Sequence, residues 1–536
     1  MEKYYTLTEN GAIQFNTTGN SCLDLFASIG SCREMAMNNP DILLKKFYEA
    51  FAVNPVCAVS IVFWSRAIRE GAGERKVFEV IIEDLCKTQP QFIIDNLEAI
   101  VEFGRWKDLA YVYKIGNGEI KNKIAYFWAS QIATSSIFGN IHSNDFKMPN
   151  ALACKWLPKD TDLYKDVQNH LKYTNKRMRQ HIARYSNTVE QKMCAKNWKE
   201  IDYSKIPSQA LNLYKDAFLR NDKDHYLSDI TTKKINAGAI YPHEILWNYA
   251  KRYRSYYSNT ELDETVEALW KALPNFINKD MRFITVCDCS FSMTSKVGKF
   301  NALSIARALS IYCSEKLEGS WKDKSILFSS KPQFIDCSQC KTLAEKNDEY
   351  KKFDDCSSTD LEAVFDLILE AAKNCKDKTT IPTTILVLSD MQMNESYNTQ
   401  NVSFMDAMRA KYKLAGVDFP SVIWWNLYET NTGFVDSKYD NVAFASGFNP
   451  KIMQAVFNGM KVEYDTEGNK KVKIDPMIVM NKALNIIVKT LKFENIKPIP
   501  EIIKDVQLNT TIGQSIREDS INVNNDTFLD CIANMK

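Results

Sequence analysis

The hydrophobic period of the chain changes once, near residue 283, and that change divides what it can fold into. Upstream, apolar residues recur at three- and four-residue spacing: Leu43, Leu44, Phe47 and Phe51, then Val59, Val62, Phe63 and Ala67. After an interruption at Gly71 and Gly73 the spacing resumes with Val77, Val80, Ile81 and Leu85. Stripes of this kind bury only against a neighbour like themselves, so stacked helical hairpins are expected, an irregular HEAT-like α-solenoid without a fixed repeat length. Helical spacing continues through 92–101, 109–113, 118–135, 169–185, 189–218 and 242–257, with 138–150 loop-like. Downstream, short apolar runs at 283–288, 325–329, 383–389, 420–426 and 441–446 alternate with helical segments near 299–316, 360–374, 404–414, 449–458 and 476–491. That alternation predicts a parallel, doubly wound α/β sheet with right-handed crossovers, carrying a surface hairpin at 462–470. The expected fold class is therefore multidomain, α followed by α/β. It comprises a poorly fixed polar arm at 1–24, a helical-repeat module at 25–280, an α/β domain at 281–491 and a tail at 492–536.

Charge says little globally. With 68 basic against 66 acidic side chains, no overall field favours or repels nucleic acid. Locally, residues 151–200 hold 11 basic and 5 acidic side chains, and this stretch carries the candidate nucleic-acid surface. Within it Lys172, Lys176, Arg177, Arg179 and Arg184 are spaced to line a helix and meet phosphates, with Trp156 or Tyr173 available for base stacking. The same pattern also describes a solvated basic helix with i,i+4 contacts. Arg66, Arg69, Glu70, Glu74 and Arg75 read as an ion-pair network fixing the turn around Gly71 and Gly73.

The 14 cysteines are scattered through apolar helical patterns, as buried thiols in a reducing compartment are. No signal-peptide pattern opens the chain, and no apolar run reaches the roughly 18 residues of a membrane span, so a cytoplasmic protein without a membrane partner is expected. Cys337-x-x-Cys340 has no second pair at zinc spacing, and the 5 histidines form no metal motif. Without a Walker loop or a nucleophile elbow, an enzyme reading has no chemistry to stand on.

The chemistry that remains lies at the ends of the candidate strands. The run 283–287 leads into Asp288-x-Ser290-x-Ser292; Thr359 precedes the helical segment at 360–374; Asp390 directly follows the run 384–388. In a doubly wound sheet these ends share one edge, where such folds bind ligands. Two carboxylates with neutral hydroxyls suit a hard cation, Mg2+ or Mn2+, which keeps some waters and leaves room for an incoming carboxylate or phosphate. Residue by residue there are plainer readings: Thr359 with Glu362 fits a capping box, Asp390 ends a strand, and Asp288 with its serines makes a tight turn. An Asp-x-Asp phosphatase is disfavoured because the second acidic position is Ser290.

Asp288-x-Ser290-x-Ser292, Thr359 and Asp390 resemble the metal-ion-dependent adhesion site of von Willebrand factor type A domains. That resemblance implies Ser290, Ser292 and Thr359 as direct ligands, Asp288 and Asp390 in the outer shell, and a partner's acidic group completing the shell. The segment Arg66-x-x-Arg69-Glu70-Gly71-Ala72-Gly73-Glu74-Arg75, with Phe103-Gly104-Arg105-Trp106-Lys107-Asp108-Leu109 and Lys155-Trp156-Leu157-Pro158, resembles the TROVE module of Ro-type ribonucleoproteins. It is closer still to a related family from plants, fungi, bacteria and giant viruses that pairs this module with a type A domain. Ser389-Asp390-Met391, Trp424-Trp425-Asn426-Leu427 and Ser446-Gly447-Phe448 share that likeness, which covers roughly residues 25–490. It implies a monomeric ring-like chain, a non-catalytic scaffold that binds RNA. The nearly neutral charge departs from strongly basic Ro-type surfaces, and a protein-assembly module capturing an acidic side chain is the alternative.

Overall fold

The computed structural model describes residues 5–7, 13–134, 148–186, 188–250, 261–278, 281–353, 359–375, 381–392, 404–428, 434, 441–464 and 470–498. Most of the loop expected at 138–150 and the tail beyond residue 498 lie outside these. From Ser21 to Lys271 the described chain is a succession of helices, each packed on near neighbours.

The helix Pro55–Arg66 is central to the first of them. Its residues are buried on every side, so it has no polar face. Pro55 starts it at a position that needs no amide donor, and the Asn54 side chain accepts the Cys57 N–H at 2.9 Å. Phe63 packs edge-on against Phe78, Phe92 and Phe103, which ties it to the next three helices.

An expectation about this half is corrected. The stretch 169–185 is two helices, Asp162–Leu171 and Asn175–Ser186, because Lys172 caps the first in a left-handed conformation at φ 53°. Lys172 is therefore not on the helix that carries Lys176, Arg177, Arg179 and Arg184. In the arm, expected to be poorly fixed, the described residues include two paired segments. Strand β1 (Tyr5–Leu7) pairs with β2 (Ile13–Phe15), and Phe15 exchanges backbone hydrogen bonds of 2.7 and 2.8 Å with Phe434.

The downstream half is a six-stranded sheet. Its strands are β3 (Phe283–Asp288), β6 (Lys324–Phe328), β7 (Gln333–Asp336), β8 (Thr384–Ser389), β9 (Ser421–Asn426) and β10 (Val442–Ser446), with β4 (Lys296–Val297) and β5 (Phe300–Asn301) forming a separate small hairpin. The order across the sheet is β10-β9-β8-β3-β6-β7. The first five run parallel and are almost wholly buried, which is why they read as continuous apolar runs. The expected all-parallel sheet is corrected at one edge: β7 runs antiparallel to β6. Strands β11 (Met460–Tyr464) and β12 (Lys470–Ile474) form the hairpin expected between the helices Ile452–Gly459 and Pro476–Thr490.

The two halves are joined at several places, among them a dense junction around residues 68–71. The Tyr241 hydroxyl donates to the Ile68 carbonyl at 2.8 Å, so the first and last parts of the helical succession meet. The Asn449 side-chain amide, in the loop after β10, donates to the carbonyls of Ile68, Arg69 and Gly71. The Gly30 N–H donates to the Ser446 hydroxyl at 2.9 Å. A strap after the last helix then crosses the helical half. The Gln89 carboxamide both donates to the Lys497 carbonyl and accepts its N–H, at 2.7 and 2.9 Å, and Asn96 does the same with Lys492 at 2.9 and 2.8 Å. Phe493 stacks on Phe92 between the two pairs.

Candidate metal site at the sheet edge

Each candidate ligand is placed by the end of a buried strand. Asp288 is the last residue of β3, at the middle of the sheet, and Asp390 follows directly after β8, its neighbour. The Cys289 N–H donates to the Phe328 carbonyl at the end of β6, and the Asp360 N–H donates to the next carbonyl, Ser329, each at about 2.9 Å or less. Thr359 is thereby brought to the same sheet edge as Asp288 and Asp390. The structure gathers the three loops that the sequence placed there.

The capping box proposed for Thr359 and Glu362 does not form. The helix Leu361–Asn374 is capped by Asp360, whose carboxylate accepts the Ala363 N–H at 3.0 Å. Thr359 lies outside the helix, buried, with its hydroxyl committed to no helix N–H.

Asp288 is fully buried; its Oδ1 accepts the Ser290 N–H at 2.9 Å and its Oδ2 accepts the Ser389 hydroxyl at 2.5 Å. The Ser290 and Ser292 hydroxyls lie 3.2 Å apart. Asp390 Oδ1 accepts the Gln392 N–H at 3.2 Å, while its buried Oδ2 has no hydrogen-bond partner among the described residues. No ion pair to a basic side chain compensates either carboxylate among those residues.

The electrostatic consequence is direct. Burial, followed by the charge of Asp288, pushes Asp390 up to about 7, and burial raises Asp288 as well. The Ser292 hydroxyl faces Asp390 without closing a hydrogen bond of normal geometry, and offsets part of the rise. Two buried carboxylates that repel one another, one with an orphaned oxygen, fit a bound cation. Its charge would supply the compensation that no protein side chain provides. The residues able to hold it are Ser290, Ser292 and Thr359 through hydroxyls, and Asp288 and Asp390 directly or through water. Among the described residues no three His, Cys, Asp or Glu side chains cluster as a metal site, and the candidate site itself offers two carboxylates with neutral hydroxyls.

Two residues at the site escaped the sequence reading. The Ser389 hydroxyl donates to Asp288 and accepts the Met391 N–H at 3.0 Å, holding Met391 in a left-handed turn at φ 64°. The register β3 to β8, in which Cys287 lies beside Leu388, is the signal that would have paired Asp288 with Ser389. Phe291, between the two serines, is 72% exposed.

The candidate nucleic-acid residues divide differently. Lys176, Arg177, Arg179 and Arg184 are exposed on the helix Asn175–Ser186, whose buried side is Met178, Ile182 and Ser186. The helix contains no acidic residue for i,i+4 ion pairs; its contacts at that spacing are the Arg179 Nε–H donated to the Asn175 carbonyl at 3.4 Å and the His181–Tyr185 ring contact, so a solvated basic helix describes it as well. Tyr173 is buried with the Arg177 guanidinium 4.2 Å over its ring, which removes it as a stacking platform. Trp156 is half-buried beneath Lys107, 4.4 Å from the ring centroid, and Lys155.

The ion-pair network expected among the five charged residues of the first motif is corrected: among the described residues no ion pair joins two of them, and four of them pair with residues elsewhere. Arg66 meets the buried Asp108 at 2.7 Å, Arg75 reaches Glu79 and Asp108, Glu74 faces Arg33, and Glu70 pairs with Lys451.

This is a helical succession joined to a mixed α/β sheet that carries a candidate cation site at its carboxyl edge. A family model described as domain of unknown function DUF2828 matches residues 8–136 and 129–281, and the chain belongs to that family. A second model, domain of unknown function DUF7788, matches residues 282–484. The chain is also similar to a protein of Acanthamoeba polyphaga mimivirus described as uncharacterized protein L728, 25% identical over an alignment of 503 residues that covers 84% of this chain and 84% of the viral one.

Proposed function

We propose that this chain is a non-catalytic binding scaffold whose α/β half, of von Willebrand type A character, holds Mg2+ or Mn2+ and through it an acidic group of a ligand. The observation that carries the reading is the orphaned, buried Asp390 Oδ2 beside Asp288 with no basic partner among the described residues. Ser290, Ser292 and Thr359 would hold the cation through hydroxyl oxygens and Asp288 and Asp390 would supply negative charge, with Ser389 fixing Asp288. When bound, the cation supplies a Lewis-acidic position for a ligand oxygen.

The helical half, resembling the TROVE module, binds RNA in this reading. Its support is the exposed face of Lys176, Arg177, Arg179 and Arg184, with Lys172 just before it. With Tyr173 buried and Trp156 covered by cations, contact is through phosphates and is insensitive to sequence. Anisotropy of a labelled single-stranded RNA should show salt-dependent binding, and replacing Lys176, Arg177 and Arg179 by Ala should flatten the log–log salt slope by about 2, at roughly 0.7 for each phosphate that is no longer neutralised. No binding at low salt would end the RNA reading. For the metal, Mg2+ should raise the melting temperature and Asp390→Asn should abolish that rise; an identical melt with Mg2+ and with chelator would end the metal reading.

The second reading, a protein-assembly module without nucleic acid, is favoured by Phe291. An exposed aromatic between two hydroxyl ligands offers an apolar contact to a protein partner that presents a carboxylate. Under this reading chelation releases protein partners while the fold persists.

A further inference from the structure

The loop that carries Ser290 and Ser292 continues, within a few residues, into the hairpin β4–β5, and that hairpin is gripped from both ends of the helical succession. From its beginning comes Arg33. Gly298, at the hairpin turn with φ +65°, lies so close to Arg33 that a Cβ there would meet Nη1 at 2.6 Å. Arg33 is itself directed by the buried Glu74, with Nε 3.6 Å from Oε1. From the end of the succession comes the helix Pro242–Ala250. Phe300 of β5 packs edge-on against His243 at 4.6 Å and Trp247 at 5.4 Å between ring centroids.

Between the serines and this hairpin the backbone is continuously hydrogen-bonded. The Met293 N–H donates to Ser290 O at 3.2 Å, Ser295 N–H to Ser292 O at 3.0 Å, and Ala302 N–H to Ser295 O at 3.2 Å. Met293 is fully buried beneath the turn. The serine hydroxyls therefore take their position from a loop whose far end is set by residues of the helical half.

We propose that Arg33, His243 and Phe300 are positioning residues for the cation site. By their contacts the helical half sets the affinity of the α/β half for the metal, and metal occupancy in turn tightens the junction between them. The inference rests on the metal reading given above. Linkage makes the two effects one: if removing the Phe300 ring weakens metal binding by some factor, metal binding must strengthen the packing of that ring by the same factor. None of the three residues supplies an oxygen to the site, so a chain in which they were only packing would show neither effect.

The test uses the full-length chain and Mg2+ alone. Titration calorimetry should give at least threefold weaker Mg2+ binding for Phe300→Leu and for Arg33→Gln than for the natural chain. In the natural chain, hydrogen exchange in the helix Pro242–Ala250 and around Arg33 should slow on adding Mg2+ and return on chelation. That second measurement needs no variant and stands if a substitution impairs folding. Unchanged exchange in both segments, together with natural affinity in both variants, overturns the coupling and leaves the metal site intact. If the natural chain takes up no Mg2+, the metal reading and the coupling both fall.

Discussion

Replacing His243 by Leu should make the protein less sensitive to acid. His243 is fully enclosed by Tyr241, Phe300 and Phe448, and its Nδ1 has no hydrogen-bond partner among the described residues. Burial, with a smaller contribution from Lys299, holds its pKa down to about 3, against the ordinary value of 6.5. Above pH 7 the ring is neutral both folded and unfolded, and its titration contributes nothing. As pH falls below 6.5 the unfolded chain takes up a proton that the folded chain refuses. Stability then drops by about 1.4 kcal/mol per pH unit until about pH 3. At pH 5 the accumulated loss is about 2 kcal/mol. Asp390 acts with the opposite sign in metal-free protein, because its raised pKa lets the folded state gain a proton below about 7. Only the difference between natural chain and variant isolates the histidine. At roughly 2–4 °C per kcal/mol for a domain of 150–250 residues, the gap in melting temperature between His243→Leu and the natural chain should move by roughly 4–8 °C in the variant's favour from pH 7 to pH 5. Parallel curves over that range would refute the reasoning.

Other outcomes follow from the contacts described. Asn449→Ala strips a donor from the carbonyls of Ile68, Arg69 and Gly71 and should lower stability by about 1–3 kcal/mol, read by thermal melting, with proteolysis appearing first near residue 70. Gly71→Ala would set a Cβ 1.7 Å from the Trp64 carbonyl oxygen, which is fixed backbone, and should yield insoluble protein. Gly118→Ala, with nothing within 4 Å of the new atom and a helical position to fill, should melt at the natural temperature or slightly above it. Lys215→Met should destabilise by about 3–5 kcal/mol, because it leaves Asp263 buried without the ammonium now 2.6 Å away.

The sequence carried the parts of the fold in which a local pattern and the final environment agree. The runs at 283–288 and 384–388 are apolar at every position because both faces of β3 and β8 are covered. The antiparallel edge β7 was not legible, since Gln333–Asp336 is short, follows Pro332 and mixes exposed with buried positions. The break at Lys172 was hidden because the residue is polar and long, with nothing in its type to announce a left-handed cap. At the site, the convergence of Asp288, Thr359 and Asp390 followed from topology alone. The parts of Ser389 and Asn449 depended on register and on contacts hundreds of residues apart, which no spacing encodes.

The strap from Lys492 to Lys497 bears on where this chain can be shortened. Its two carboxamide pairs read main-chain atoms, so exposed Lys492 can be exchanged for other residues, proline excepted, while Phe493 and Ile496 cannot. A chain cut after Thr490 would leave Phe92 bare and the Gln89 and Asn96 amides without their carbonyls. It should self-associate during purification.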